Sequence, residues 1–208
     1  MPLSADPHVV VLVEGRSDAA ALAVLLDARR LDGEGHVHVV SMDGVTNVAR
    51  DLGRTRHEHP QALVLGLYDV AEERFVAGAL RRAGVLLDGH GEVSRQTARA
   101  AGLDLAAHGF FVCDSDLEDE LIRAVGTAAV EDALDEMGQL ERFRTFQYQP
   151  EWRGREISDQ LHRFAGSGSG RKVALAERLA GRLDERTTPP PLAGLLDRIS
   201  QHLDGQGG

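Results

Sequence analysis

The chain of 208 residues has very little cysteine and lysine, and no long apolar run. Cys113 is the only cysteine, so no internal disulfide and no cysteine-based zinc site can form. No run of about 18 apolar residues occurs, which argues against a membrane-spanning helix. The formal net charge of −10 excludes broad electrostatic attraction to a polyanion, but it leaves a metal-binding nucleic-acid enzyme open. The first residues carry no basic leader before an apolar run, so we expect a cytoplasmic protein.

Apolar runs and helical segments alternate along the first part of the chain. Continuous apolar runs rich in β-branched residues are typical of strands buried on both faces of a parallel sheet. Such strands are predicted at 8–13, 36–42, 62–68 and 110–113. With helical segments between them, this order predicts an α/β fold of the Rossmann-like kind, a mainly parallel sheet flanked by helices.

The helical segments indicate how the chain is divided. Helices are predicted at 19–30 with Ser17 as the capping residue, then up to about residue 56, and at 71–83, 94–101, 116–125, 128–137, 157–164, 171–183 and 192–203. We therefore expect an α/β core over 1–125 and a helical, arginine-rich portion over 126–204. The glycine-rich end, 205–208, is predicted to be a disordered tail.

Acidic residues stand where the predicted strands end. Glu14, Asp69 and Asp114 each directly follow a strand, and Asp116 comes two residues later. Ligands of open α/β sheets bind beyond the carboxyl ends of the strands, so we expect these carboxylates to converge. The helices that follow add further acids, namely Asp18, Glu72, Glu73 and Glu118. Oxygen ligands favour magnesium, manganese or calcium over zinc. Taken singly, these acids are better explained as helix N-terminal acids favoured by the helix dipole, but less so Glu14 and Asp69, which stand at strand ends.

A basic segment follows the acidic part of the chain. Between Arg142 and Arg182 there are nine basic side chains against four acidic ones, and Lys172 is the only lysine in the sequence. Basic side chains of this kind contact the phosphate backbone of nucleic acids without reading their sequence. The residues predicted for this contact are Arg142, Arg144, Arg153, Arg155, Arg171 and Lys172.

Several motifs together resemble the TOPRIM domain. Val-Leu-Val-Glu-Gly-Arg-Ser-Asp at 11–18 resembles its first motif, and Met-Asp-Gly-Val-Thr-Asn at 42–47 resembles the turn after its second strand. Leu-Tyr-Asp-Val-Ala-Glu-Glu at 67–73 stands where the Asp-x-Asp motif belongs. Segments 111–122 and 168–174 resemble the later part of the TOPRIM region of OLD-family nucleases. The likeness extends over nearly the whole chain. It is greatest to stand-alone TOPRIM nucleotidyl transferase/hydrolase domain proteins, so we expect no ATPase domain before this region.

This resemblance implies a metal-dependent phosphodiester hydrolase that acts on nucleic acid, with DNA favoured over RNA. Glu14 and Asp18 would then hold one Mg²⁺ or Mn²⁺ ion, Asp69 would bridge or share it, and Asp116 and Glu118 would complete a site for one or two ions. Glu14, Asp69 and Lys172 would be the catalytic residues, with Lys172 steadying the phosphate. Ca²⁺ could occupy the same site without supporting catalysis.

The sequence departs from the motif at residue 71, where Ala71 stands in place of the second aspartate. Glu72 or Glu73 could substitute, and so could Asp114 or Asp116. If none does, the alternative is a non-catalytic module that binds nucleic acid or a separately encoded ATPase. Action on a small phosphorylated metabolite is a third hypothesis, and a homodimer is compatible with all three.

Overall fold

The computed structural model describes residues 6–86 and 104–206, and its described strands form one parallel sheet. The strands are β1 (Val9–Val13), β2 (Val37–Ser41), β3 (Leu63–Asp69) and β4 (Phe110–Cys113), in the order β2-β1-β3-β4. Every neighbouring pair is parallel. The α/β fold predicted from the sequence is therefore confirmed, with all four strands where they were expected.

The helices surround this sheet. They are α1 (Arg16–Ala28), α2 (Val48–Glu58), α3 (Glu73–Arg82), α4 (Leu117–Val125), α5 (Thr127–Glu136), α6 (Leu140–Gln147), α7 (Ile157–Gly166), α8 (Ser169–Ala180) and α9 (Pro190–Gln206). Sequence analysis missed α6, whose apolar residues Leu140, Phe143 and Phe146 recur every third position between charged ones. The helix predicted at 94–101 lies outside the described residues.

The last helix corrects the prediction of a disordered tail. Helix α9 begins at Pro190, because the fixed φ of proline suits the first turn of a helix. It continues through Gly205 and Gln206, so the prediction was wrong for these two residues. Residues 207 and 208 lie outside the described part. None of the helices within 6–86 and 104–206 combines the length and apolar character needed to cross a bilayer.

The central strand β1 is buried on both faces and divides the core in two. Val9, Val11 and Val13 pack with α1 and with the helices of the later part of the chain, whereas Val10 and Leu12 pack with α2 and α3. Burying a valine or leucine side chain contributes about 1.5–3 kcal/mol, so this strand anchors the sheet. The helical portion after residue 125 therefore shares one hydrophobic core with the α/β part.

The order of the strands creates a crevice between β1 and β3. From β1 the chain crosses to β2 on one side and then returns to β3 on the other side. Ligands of such sheets bind at this switch point, beyond the carboxyl ends of the strands. Glu14 follows β1 and Asp69 ends β3, so the two carboxylates reach the same crevice.

The start of α1 is capped differently from the prediction. The N-cap is Gly15 rather than Ser17, and its amide donates a hydrogen bond to Asp18 Oδ2 over 2.8 Å. Ser17 lies inside the first turn, where it is buried and its hydroxyl is 3.4 Å from Asp18 Oδ1. An aspartate at the third helical position can reach back to the free amide, which leaves the serine no capping role.

Gly66 on β3 lies against the ring of Phe110 on β4, where there is no space for a side chain. A Cβ at this position would lie 2.5 Å from Cδ1 of Phe110, whose ring is buried in the core. We expect Gly66→Ala to lower the free energy of unfolding by about 1–3 kcal/mol, because the ring cannot move without disturbing packed neighbours. Urea unfolding measures the change.

The matched control is Gly53→Ala on α2, where a Cβ would meet nothing within 4 Å. This substitution should leave stability unchanged or raise it by up to about 1 kcal/mol, since alanine favours the helix. Equal stability of the two variants would contradict the tight packing at Gly66.

Candidate metal centre

Three carboxylates meet at the carboxyl edge of the sheet. Glu14 follows β1, Asp69 is the last residue of β3, and Glu72 ends the 3₁₀ turn Val70–Glu72. One oxygen from each lies within 4.8 Å of the others, and all three side chains are partly buried. This acidic triad, as we call Glu14, Asp69 and Glu72, is the arrangement among the described residues that could hold a metal ion.

The 3₁₀ turn explains why Glu72, and not residue 71, completes the triad. Side chains three residues apart lie on the same side of a 3₁₀ turn, so Glu72 stands over Asp69. Ala71 is exposed. Glu73 is buried elsewhere, and it adds to the effect of burial in raising the pKa of the Tyr68 phenol. Of the substitutes considered for the second aspartate, the structure brings Glu72 into the triad and leaves Glu73 outside it.

Burial and crowding raise the pKa values of two acids of the triad, Asp69 and Glu72. Burial raises the pKa of Asp69 to about 8, and the charges of Glu14 and Asp18 contribute further. Burial and a hydrogen bond with Glu14 raise the pKa of Glu72 to about 7. Near neutral pH the triad therefore holds protons that a cation would displace.

The donor atoms of the triad fit a hard divalent cation. All three ligands are carboxylate oxygens, which suit Mg²⁺, Mn²⁺ or Ca²⁺. In addition, Glu72 Oε2 is buried and has no hydrogen-bond partner among the described residues. A buried polar atom of this kind is costly unless something binds it, and a cation would do so while relieving the repulsion among the carboxylates.

A second layer of acids lies beside the triad. Asp18 is buried, and burial together with the charge of Glu118 raises its pKa to about 6. Glu118, which is also buried, forms an ion pair with Lys172 in which Nζ lies 3.1 Å from Oε1. Burial alone would lower the pKa of Lys172, but the charge of Glu118 and neighbouring acids raise it instead. Lys172 on α8 is thus brought to the edge of the sheet by the packing of α8 against α1.

Asp116 is held by a histidine that sequence analysis did not identify. His162 Nε2 on α7 lies 2.6 Å from Asp116 Oδ2, and the Asp119 amide donates to Oδ1 over 2.8 Å. Burial alone would raise the pKa of Asp116, but these hydrogen bonds lower it below its ordinary value. The two partners are 46 residues apart, and no local motif marks His162. Asp116 still acts on Asp69 by raising its pKa.

The carboxylate of Asp114 is not part of the triad. Its side chain is 77% exposed, and Oδ2 lies 3.9 Å from Nη1 of Arg123. Arg123 also pairs with Asp119 and Glu120. The structure therefore does not bring Asp114 to the other predicted ligands, because the outward face of this turn is occupied by the arginine of α4.

The predicted nucleic-acid contacts fall on α6, on α8 and on the turn before α7. Arg144 is bound by both carboxylate oxygens of Glu131, at 2.8 and 2.7 Å. Arg171 lies over the ring of Phe164, with its Cζ 4.0 Å from the ring centroid. Arg142, Arg153 and Arg155 are exposed. Arg153 and Arg155 each donate one hydrogen bond to a nearby backbone carbonyl. Arg144 is thus held by a carboxylate of the protein, whereas the three exposed arginines keep N–H groups that a ligand can reach.

Comparisons with known proteins identify the fold. No protein-family model matches the chain, and no curated protein does. Among solved structures, the C-terminal region of the Xanthomonas campestris pv. campestris OLD protein matches with a TM-score of 0.68 and 19% identity, covering 97% of this chain and 98% of that one. The C-terminal region of the Burkholderia pseudomallei OLD protein matches with a TM-score of 0.64 and 21% identity, covering 94% and 98%. The chain therefore has the fold of the C-terminal, TOPRIM region of OLD proteins, as the sequence resemblance implied.

Proposed function

We propose that the chain is a metal-dependent phosphodiesterase of the TOPRIM type that cleaves nucleic acid, with DNA as its substrate. The observation that carries this proposal is the acidic triad at the switch point of the sheet, with its oxygens within 4.8 Å of one another. The likeness of the fold to the C-terminal region of OLD proteins supports the same class of activity.

Each acidic residue has a place in this proposal. Glu14, Asp69 and Glu72 would hold a Mg²⁺ or Mn²⁺ ion, and Asp18, Asp116 and Glu118 would orient it or serve a second ion. When bound, such an ion lowers the pKa of water and neutralises charge on the phosphate. Ca²⁺ fits the same oxygens and would hold the site without supporting cleavage.

The basic residues position the substrate. Lys172 pairs with Glu118 but is 41% exposed, so its remaining N–H groups can donate to a phosphate next to the triad. Arg142, Arg153, Arg155 and Arg171 offer further contacts to the phosphate backbone. Contacts of this type carry no sequence information, so we infer cleavage with low sequence specificity.

A binding module with an attenuated metal site is the alternative. The exposed Ala71, at the position of the second aspartate of the motif, favours it. In that case the fold would bind nucleic acid or a separately encoded ATPase, alone or as a homodimer, without cutting.

Metal affinity should depend on pH. Because the pKa of Asp69 is raised to about 8 and that of Glu72 to about 7, both groups must lose protons when a cation binds. We expect Mg²⁺ affinity to rise from pH 6 to pH 9, with proton release that calorimetry detects as a dependence of the heat on the buffer. Affinity that does not change with pH would contradict the assignment.

In the metal-free protein, the free energy of unfolding should fall as the pH rises. The raised carboxyl pKa values mean that the folded state binds more protons than the unfolded chain, whose aspartates titrate near 3.8. This contribution to stability is fully present below that value and is lost as the pH rises through about 8. Thermal unfolding at several pH values, with and without Mg²⁺, measures both effects.

Removing Glu14 should abolish cleavage. Loss of a residue that only supports a metal ligand typically lowers activity by roughly 10–100-fold. We expect Glu14→Ala to lower the rate of Mg²⁺- or Mn²⁺-dependent plasmid nicking by more than this, because the triad loses a direct ligand. Asp132→Ala, which removes an exposed acid on α5, is the control and should nick as the wild type does. Absence of metal binding by the wild-type protein would overturn the proposed function.

Restoring the aspartate at residue 71 separates the two hypotheses. Because Glu72 already occupies the third place of the triad, we expect Ala71→Asp to leave the nicking rate unchanged. An increase of about tenfold, equivalent to about 1.4 kcal/mol of transition-state stabilisation, would favour the attenuated module instead.

A further inference from the structure

A cavity of about 470 Å³ opens where α1 and α8 begin. On the α1 side it is lined by Gly15, Arg16 and Ser17, and on the α8 side by Lys172, Val173 and Ala174. Its volume lies within the range of about 300–1,000 Å³ that is typical of sites for small molecules. Apart from Lys172, the proposed chemistry at the acidic triad uses none of these lining residues.

The cavity adjoins the acidic triad. Gly15 directly follows Glu14 of the triad, and Lys172 pairs with Glu118 in the second layer of acids. Lys172 therefore stands between the acids and the cavity. A ligand in the cavity can therefore reach Lys172, the residue proposed to contact the phosphate.

The walls of the cavity differ from the acidic triad in chemistry. Val173, Ala174 and Gly15 supply an apolar surface. The charged lining residues are two bases, Arg16 and Lys172, and one acid, the exposed Glu177, so positive charge predominates. A nucleotide unit of a strand matches this pattern, because the base of its nucleoside has apolar faces and its phosphate is negative. Val173 and Ala174 are only partly buried, so their apolar atoms are accessible to a ligand.

We infer that this cavity seats one unstacked nucleoside of a nucleic-acid strand whose adjoining phosphate lies against the acidic triad. The inference rests on the proposed function and narrows its substrate. A base inside a duplex is stacked and paired, so it must be extruded before it can enter the cavity, and this opposes binding. The substrate is therefore single-stranded DNA, or a duplex in which a short region is locally opened. Negatively supercoiled plasmid contains such regions.

The test compares a single-stranded oligonucleotide with the duplex of the same sequence, by fluorescence anisotropy in Ca²⁺. The wild-type protein should bind the single strand about tenfold or more tightly than the duplex, because extrusion of a base is avoided. Ala174→Phe, which fills the cavity, should remove this preference while Mg²⁺ affinity stays unchanged.

Two further variants make the result decisive. Ala28→Phe fills a separate cavity of about 570 Å³ at the other end of α1 and should keep the preference for the single strand. Ala174→Leu is a smaller insertion at the same place as Ala174→Phe, and thermal unfolding shows which variants are folded. A folded residue-174 variant that retains the preference, or a wild-type protein that binds the duplex as tightly, would overturn the inference.

The outcome also distinguishes this inference from the proposed function. Wild-type protein that binds Mg²⁺ and nicks plasmid, but whose single-strand preference is unaffected by substitution at residue 174, refutes the cavity assignment alone. Wild-type protein that neither binds Mg²⁺ nor nicks plasmid refutes the proposed function, whatever the oligonucleotides show.

Discussion

Repulsion among carboxylates at one edge of a parallel sheet is the constraint on which this molecule depends. Glu14 and Asp69 follow neighbouring strands, so the direction of those strands brings their negative charges together. The 3₁₀ turn after β3 adds Glu72. Such crowding is tolerated because β1 is buried on both faces and the sheet cannot adjust. Burial, together with this repulsion, raises the pKa values of Asp69 and Glu72.

Basic side chains of the protein neutralise the outer acids rather than the triad. Lys172 pairs with Glu118, His162 binds Asp116, and Arg123 pairs with Asp114. No arginine, lysine or histidine of the described residues forms an ion pair with Glu14, Asp69 or Glu72. An acidic centre without a basic partner, next to acids that mostly have one, suits a bound cation, because the cation supplies the missing charge.

The helical part of the chain is a component of the site and not an appendage. It supplies His162 from α7 and Lys172 from α8, and its apolar residues share one core with β1 and α1. The cavity between α1 and α8 has one wall from each part. The division at residue 125 that the sequence predicted therefore cuts through the candidate site, although it stays a prediction about folding units.

The sequence by itself determined the α/β order, the four strands and the acids that end them. These features are local: apolar runs mark the strands, and Glu14 and Asp69 adjoin them, so the parallel order alone places both at one edge. Only the tertiary structure decided that Glu72, and neither Glu73 nor Asp114, joins them, because this depends on the 3₁₀ turn and on Arg123. Only packing brought His162 to Asp116 and Lys172 to Glu118, since such contacts join residues far apart in the chain and no local pattern encodes them.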